Sequence, residues 1–292
     1  DSGAPIAIIT SPVNNSNTSD TTPEIFFNLT DNVDTLLSYK IYIDSTINQT
    51  GTASNNTIVG VNLTNQPNGT YTIRIEATDD VGFATNSTPL TLTIDTGLPT
   101  ATINTINTTN TSDTTPEINF TITDNFFTVD FSYKVYVGSA VDNTGNATNA
   151  TSFVRNLSNQ GNGTITVRLE ARDPAGNVQN STPLTITVDT SPPFTNITSP
   201  VNNSNTTDQT PEINFTITDN YLTSLSYKVY VNSTMDTEGN TTNGTVILVN
   251  LSHLNHGNYL VREEGKDSLG NSQNSTFINI TVNDTSAPQI TN

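Results

Sequence analysis

Cysteine and tryptophan are absent from this 292-residue chain, methionine occurs once, and only nine residues are Lys or Arg. Without cysteine there are no disulfides and no thiolate metal sites. Nine basic residues against 27 acidic ones leave a net charge of −18. No basic patch is available to neutralise phosphates, which argues against nucleic acid as a partner. No run of about 18 apolar residues occurs, so this segment holds no membrane-spanning helix. No leader precedes Asp1, which reads as a mature product or a fragment. Apolar residues at helical spacing are also missing over any useful length, so helices are not expected. Hydrophobic residues make up only 32% of the chain, yet they stand in short runs, and disorder does not follow. Most of what remains is Thr, Ser and Asn, a composition of strand faces and turns.

What is present is a repeat. NTSDTTPEIFFNLTDN (Asn17 to Asn32) returns as NTSDTTPEINFTITDN (Asn110 to Asn125) and NTTDQTPEINFTITDN (Asn205 to Asn220). LSYKIYI from Leu37 returns as FSYKVYV from Phe131 and LSYKVYV from Leu225. NGTYTIRIEATDDVG from Asn68 returns as NGTITVRLEARDPAG from Asn162, and more loosely as HGNYLVREEGKDSLG from His256. The period is about 94 residues, the size of one sandwich domain. It divides the chain into residues 1–94, 95–188 and 189–283, with 284–292 opening a further repeat or linker.

Within a period the apolar residues alternate with polar ones, as in half-buried strands. Ile118, Phe120 and Ile122 point one way and Asn119, Thr121 and Thr123 the other; Tyr71, Ile73, Ile75 and Ala77 face inward, and Thr72, Arg74 and Glu76 face solvent. About seven such strands fit one period between Asn, Gly, Asp and Pro turns. The fold expected is all-β, three tandem immunoglobulin-like Greek-key β-sandwiches joined by short Pro-stiffened linkers into an extended rod.

The motifs NGTYTIRIEATDDVG with its copies and GNVQNSTPLTITVDTSPP (Gly176 to Pro193) resemble the tandem bacterial and archaeal Ig-like or fibronectin-III-like repeats of cell-surface proteins. The resemblance covers all three periods, and the Asn- and Thr-rich style is similar to archaeal surface proteins. It implies an extracellular, cell-surface location. Tyr71 and Tyr259 sit where a tyrosine corner forms in such domains, whereas Ile165 has no hydroxyl to make one.

Of 42 Asn residues, 27 begin Asn-x-Ser/Thr, where composition alone predicts about 12. Covalent N-glycans are therefore expected, at Asn28, Asn48, Asn62, Asn68, Asn86, Asn107, Asn119, Asn146, Asn156, Asn180, Asn196, Asn214, Asn232, Asn250, Asn274 and Asn279. Asn28, Asn119 and Asn214 are read as one recurring outward position of the second strand, and Asn86, Asn180 and Asn274 as another before the last strand. Outward strand positions carry sugars without disturbing a core.

In an Ig-like topology the loop after the second strand, the hairpin before the last strand and the incoming linker converge. They bring Asp95, Asp124 and Asp173 together at one junction and Asp189, Asp219 and Asp267 at the next, as oxygen ligands for calcium. The alternative is that each Asp only caps its own turn. Lys134, Arg168 and Glu170 are expected to pair across strands on a wet sheet face. His253 and His256 lie in one turn without a third ligand and read as loop residues. Glu263 takes the inward slot of Ile75 and Leu169, which points to a frayed edge or a surface covered by a neighbour.

No nucleophile–base pair or phosphate loop stands out, and nearly everything occurs three times where a catalytic site is unique; an enzyme is not expected. Two roles contend. One is a structural part of a glycosylated surface assembly, a filament or surface layer; the other is the stalk of an adhesin or ligand-binding protein. The partners expected are further repeats or copies of the same chain, head to tail, with the tail near Ile290 completing a strand of the following domain.

Overall fold

The computed structural model describes residues 3–107 and 109–284. The expectations that concern Asp1 and the tail near Ile290 lie outside the described residues. Every regular element among the described residues is a strand. The first repeat holds β1 (Ile6–Ser11), β2 (Ser16–Thr18), β3 (Glu24–Thr30), β4 (Leu36–Ile43), β5 (Thr46–Ser54), β6 (Thr57–Asn62), β7 (Gly69–Thr78), β8 (Ala84–Asn86) and β9 (Leu90–Ile94). The second holds β10 (Thr100–Ile103), β11 (Thr109–Thr111), β12 (Glu117–Thr123), β13 (Phe131–Val137), β14 (Ala140–Ala147), β15 (Ser152–Asn156), β16 (Gly163–Arg172), β17 (Val178–Asn180) and β18 (Leu184–Val188). The third holds β19 (Phe194–Ser199), β20 (Ser204–Thr206), β21 (Glu212–Thr218), β22 (Ser224–Val231), β23 (Thr234–Thr242), β24 (Val246–Asn250), β25 (Gly257–Asp267), β26 (Ser272–Asn274) and β27 (Ile278–Val282).

Each repeat sorts its strands into two sheets. In the first, a small sheet of order β1-β3-β6 faces a larger one of order β2-β9-β7-β4-β5, with β8 beside β7. The other repeats reproduce this order, as β10-β12-β15 with β11-β18-β16-β13-β14, and as β19-β21-β24 with β20-β27-β25-β22-β23. Nine strands per period replace the seven expected. The additional ones, such as β2 (Ser-Asn-Thr) and β8 (Ala-Thr-Asn), are three residues long and carry no apolar alternation to betray them. By density of contacts the chain forms two compact units: Asp1–Thr105, Glu117–Arg155 and Val167–Leu184, and Ile106–Pro116, Asn156–Thr166 and Thr185–Asn292.

The alternation read from the sequence is the one that packs. Ile25, Phe27 and Leu29 on β3 are fully buried, as are Ile118, Phe120 and Ile122 on β12 and Ile213, Phe215 and Ile217 on β21. Across each sandwich a phenylalanine meets a tyrosine ring edge-on: Phe27 with Tyr39 at 5.0 Å, Phe120 with Tyr133 at 4.9 Å, Phe215 with Tyr227 at 5.1 Å. Such pairs contribute about 1 kcal/mol beyond their burial. The tyrosine also dictates a glycine on the neighbouring strand. A Cβ at Gly145 would stand 2.6 Å from the Tyr133 hydroxyl oxygen, too close for any side chain.

The same register shows that Asn28 does not share a position with Asn119 and Asn214. Ser199 faces Asn214, whereas the matching Ser11 faces Phe26, and Asn28 faces Ile8 two residues further along. Because strand side chains alternate with period two, Asn28 still lies on the outward face. The look-alike tripeptides NLT and NFT hid this shift.

The outward faces of the first two large sheets carry the expected cross-strand pairs. Lys40 bonds Glu76 at 2.7 Å and Lys134 lies 3.5 Å from Glu170, both across strands, whereas Arg168 lies 3.9 Å from Glu170 along their shared strand β16. Arg74, Arg168 and Arg262 each stack on a tyrosine, Tyr42, Tyr136 and Tyr230, with the guanidinium 4.1 to 4.2 Å from the ring centre. The tyrosine corner forms where a tyrosine is available: Tyr71 donates to the Pro67 carbonyl at 2.8 Å and Tyr259 to the Asn255 carbonyl at 3.0 Å.

Candidate functional site

Three loops and strand ends converge after β9. Asp95 follows β9 directly, Asp124 follows β12, and Asp173 ends the β16 side of the hairpin to β17. A carboxylate oxygen from each lies within 4.8 Å of the other two. After β18 the arrangement recurs with Asp189, Asp219 and Asp267, within the same 4.8 Å. The convergence inferred from topology is thus present in both places. Asp95 and Asp189 are fully buried, Asp173 and Asp267 nearly so, and Asp124 and Asp219 half-buried.

One oxygen of each carboxylate serves its own turn. Asp95 Oδ1 accepts from the Gly97 amide at 2.9 Å and from Asn68 Nδ2 at 2.7 Å. Asp124 Oδ1 accepts the amides of Phe126 and Phe127 at 2.7 and 2.9 Å, and Asp173 Oδ1 the Asn177 amide at 2.9 Å. In the second cluster Asp189 Oδ1 accepts from Ser191, Asp219 Oδ1 from Tyr221 and Leu222, and Asp267 Oδ1 from Leu269, Gly270 and Asn271. The other oxygens fare differently. Oδ2 of Asp95, Asp124 and Asp189 is buried with no hydrogen-bond partner.

Two residues that sequence reasoning missed tie each cluster together. Asn177 Nδ2 donates to the Asp95 carbonyl and to Asp173 Oδ2, both at 2.8 Å. Asn271 repeats this with the Asp189 carbonyl at 3.1 Å and Asp267 Oδ2 at 2.7 Å. The signal was available, since both follow the hairpin glycine, whereas the first repeat has Phe83 there.

Three negative charges at this spacing are costly. Two unit charges about 4.8 Å apart repel by roughly 3 kcal/mol at an effective dielectric near 20. Among the described residues no Lys, Arg or His forms an ion pair with any of the six. Burial, and next the charges of the two neighbouring carboxylates, push the Asp95 and Asp189 carboxyls above their ordinary value, against the opposing pull of the turn amides.

Residues 149–248 match the family model of the bacterial Ig-like domain (group 3). By strand order the whole chain has the fold of three tandem Ig-like β-sandwiches. Among solved structures, the array is similar to the fibronectin(III)-like modules of Clostridium thermocellum CbhA, at 15% identity and TM-score 0.34, covering 63% of this chain and 94% of that one. It is also similar to a tetra-tandem repeat from the extending region of a large adhesion protein, at 21% identity and TM-score 0.31, covering 96% and 75%. The BSP domain of a biofilm associated protein aligns at 15% identity and TM-score 0.25, covering 98% and 67%. Likeness at this level carries nothing about what the Ig-like array binds. A comparison with curated proteins finds no match.

None of the sixteen sequon asparagines expected to carry glycans is buried in the Ig-like array. Asn28, Asn48, Asn119, Asn214 and Asn279 are half-buried; Asn62, Asn68, Asn86, Asn107, Asn146, Asn156, Asn180, Asn196, Asn232, Asn250 and Asn274 are exposed. Asn86, Asn180 and Asn274 recur at one position, each accepting a hydrogen bond from the arginine stacked on the sheet, Arg74, Arg168 or Arg262. His253 lies in the loop between β24 and β25; His256 lies beside it, 3.6 Å from Asp284.

Glu263 is neither frayed nor at an edge. It sits on β25, a central strand between β22 and β27, opposite Val229, and is fully buried with both carboxyl oxygens unpartnered. Burial, and then the nearby charge of Glu264, push its carboxyl up to about 8. Its surroundings differ from the other repeats in a matching way. Thr195, whose buried hydroxyl is also unpartnered, replaces Ala7 and Ala101; Gly265 replaces Ala77 and Ala171. A Cβ at Gly265 would meet Ile217 at 3.0 Å, tighter than ordinary contact, while Thr195 at 3.4 Å and Glu263 Oε1 at 3.5 Å would stand at ordinary contact distance, so the glycine accommodates Ile217.

Proposed function

We propose that this Ig-like array is a structural, non-catalytic element of an extracellular surface protein, a glycosylated shaft of a filament or surface layer in the style of archaeal cell surfaces. The observation that carries this reading is the sequon asparagines. They exceed what composition predicts, and none of the sixteen singled out is buried. An array dense in surface acceptor sites suits a chain that is exported and modified. Its strand order recurs from repeat to repeat, which suits a spacer joined head to tail to further repeats or copies. The alternative role, a stalk lifting a separate binding site, calls for one repeat with exposed residues of its own, and the residues peculiar to the third repeat are the candidates. Glu263 was one of these, and its burial removes it from any binding surface.

Mass spectrometry of peptides from native material tests the reading. Glycans are expected at Asn119 and Asn214, which share one position, and at Asn28 on the same face. Unmodified peptides at all three positions refute it.

A further inference from the structure

The geometry points to two calcium sites, one built by Asp95, Asp124 and Asp173 and the other by Asp189, Asp219 and Asp267. This inference does not rest on the surface-shaft reading.

Turn formation accounts for only half of each carboxylate. In all six residues Oδ1 satisfies the turn amides, and an acceptor that stops there needs no partner charges. The structure instead places a second oxygen of Asp95, of Asp124 and of Asp189 in a buried position without a hydrogen-bond donor. A buried carboxylate oxygen with no donor beside two further carboxylates is unfavourable unless a cation is shared. A calcium ion about 2.4 Å from each ligand is shared by oxygens up to about 4.8 Å apart, which matches both clusters. All the clustered side-chain donors are hard oxygens, and they stand on a linker, a loop and a hairpin rather than a rigid frame. That adaptable setting suits calcium better than magnesium, which keeps a strict octahedron and most of its water. Asn177 and Asn271 fix the geometry, each joining the carbonyl of the linker aspartate to the Oδ2 of the hairpin aspartate. Asp124 and Asp219, half-buried, leave each cluster a way in from solvent.

The full chain, stripped with EDTA and titrated with calcium chloride in a calorimeter, is expected to bind two ions. Its Tm is expected to rise with the logarithm of calcium concentration. Magnesium chloride at the same concentration and ionic strength is expected to give a smaller shift. D95N discriminates between ligand and turn residue. The amide keeps Oδ1 for Asn68 and Gly97 and turns an N–H donor toward the remaining carboxylates, so in EDTA this variant is expected to melt above the parent. With calcium it is expected to bind one ion and to gain less. D189N is expected to do the same at the second site. If either fails to fold, D124N and D219N at the half-exposed positions give the same stoichiometric readout. A Tm unmoved by calcium up to about 10 mM, well above the range of extracellular calcium modules, overturns the inference. So do two ions retained by D95N, or equal shifts from magnesium and calcium.

Discussion

Raising the pH is expected to loosen the third repeat selectively, through Glu263. In the unfolded chain a glutamate titrates near 4.5; within the folded third repeat burial holds Glu263 up to about 8. Between these values the native state retains a proton that the unfolded state has released. Stability therefore falls as pH rises through this window and levels off above pH 8. A shift of that size corresponds to about 5 kcal/mol at most, and the part lost between pH 5 and pH 9 is about 4 kcal/mol. Among the described residues no basic group offsets it: Thr195, Ile217 and Val229 are uncharged, and Glu264 adds like charge. The assay is urea unfolding with hydrogen exchange of the β25 amides, compared between the parent and E263L, which restores the residue of the second repeat. Asp95 and Asp189 titrate with the same sign, so the informative quantity is the difference between E263L and parent at each pH. That difference is expected to be several kcal/mol larger at pH 9 than at pH 5, with E263Q equally flat in pH. An E263L advantage that is the same at both pH values refutes the reasoning.

Two further outcomes follow from packing and hydrogen bonding. G145A drives a methyl group into the Tyr133 ring and is expected to destabilise the second repeat by about 1–3 kcal/mol, seen as a lower urea midpoint with unchanged slope. Y71F removes the bond to the Pro67 carbonyl and is expected to cost about 1 kcal/mol in the first repeat, whereas T72V at the adjacent outward position, measured in parallel, is expected to cost less.

How far the sequence could be read depends on which physical signal each element leaves. β3, β12 and β21 were legible because Ile-x-Phe-x-aliphatic alternation admits one inward face. β2 and β8 left no signal, being polar on both faces and defined by backbone pairing alone. The aspartate clusters were legible from topology, since the loops that converge in this sandwich are known once the strand order is assumed. The split of labour between Oδ1 and Oδ2 was not, because it depends on atomic positions. Asn177 and Asn271 escaped notice because an Asn after a hairpin glycine ordinarily reads as turn chemistry. Glu263 takes the inward slot read for it, and of the two accounts offered, a frayed edge or a surface covered by a neighbour, the central position of β25 overturns the edge. A charged residue was expected to seek solvent, whereas the small sheet covers it: Thr195, which packs against this part of β25, stands far back in the sequence on β19, where no local pattern displays it.

The parallel pairing of β2 with β9 has a mechanical consequence. The strand near the start of the first repeat runs alongside its last strand, Ser16 opposite Leu92 and Thr18 opposite Ile94. β11 with β18 and β20 with β27 do the same. Tension applied to the two ends of such a domain pulls these strands in opposite directions along their own axes. The hydrogen bonds between them are then loaded side by side and must fail together, instead of opening one at a time as in a peeled hairpin. Each domain thus carries, where the chain enters and leaves it, a clasp that resists pulling far better than its three-residue length suggests.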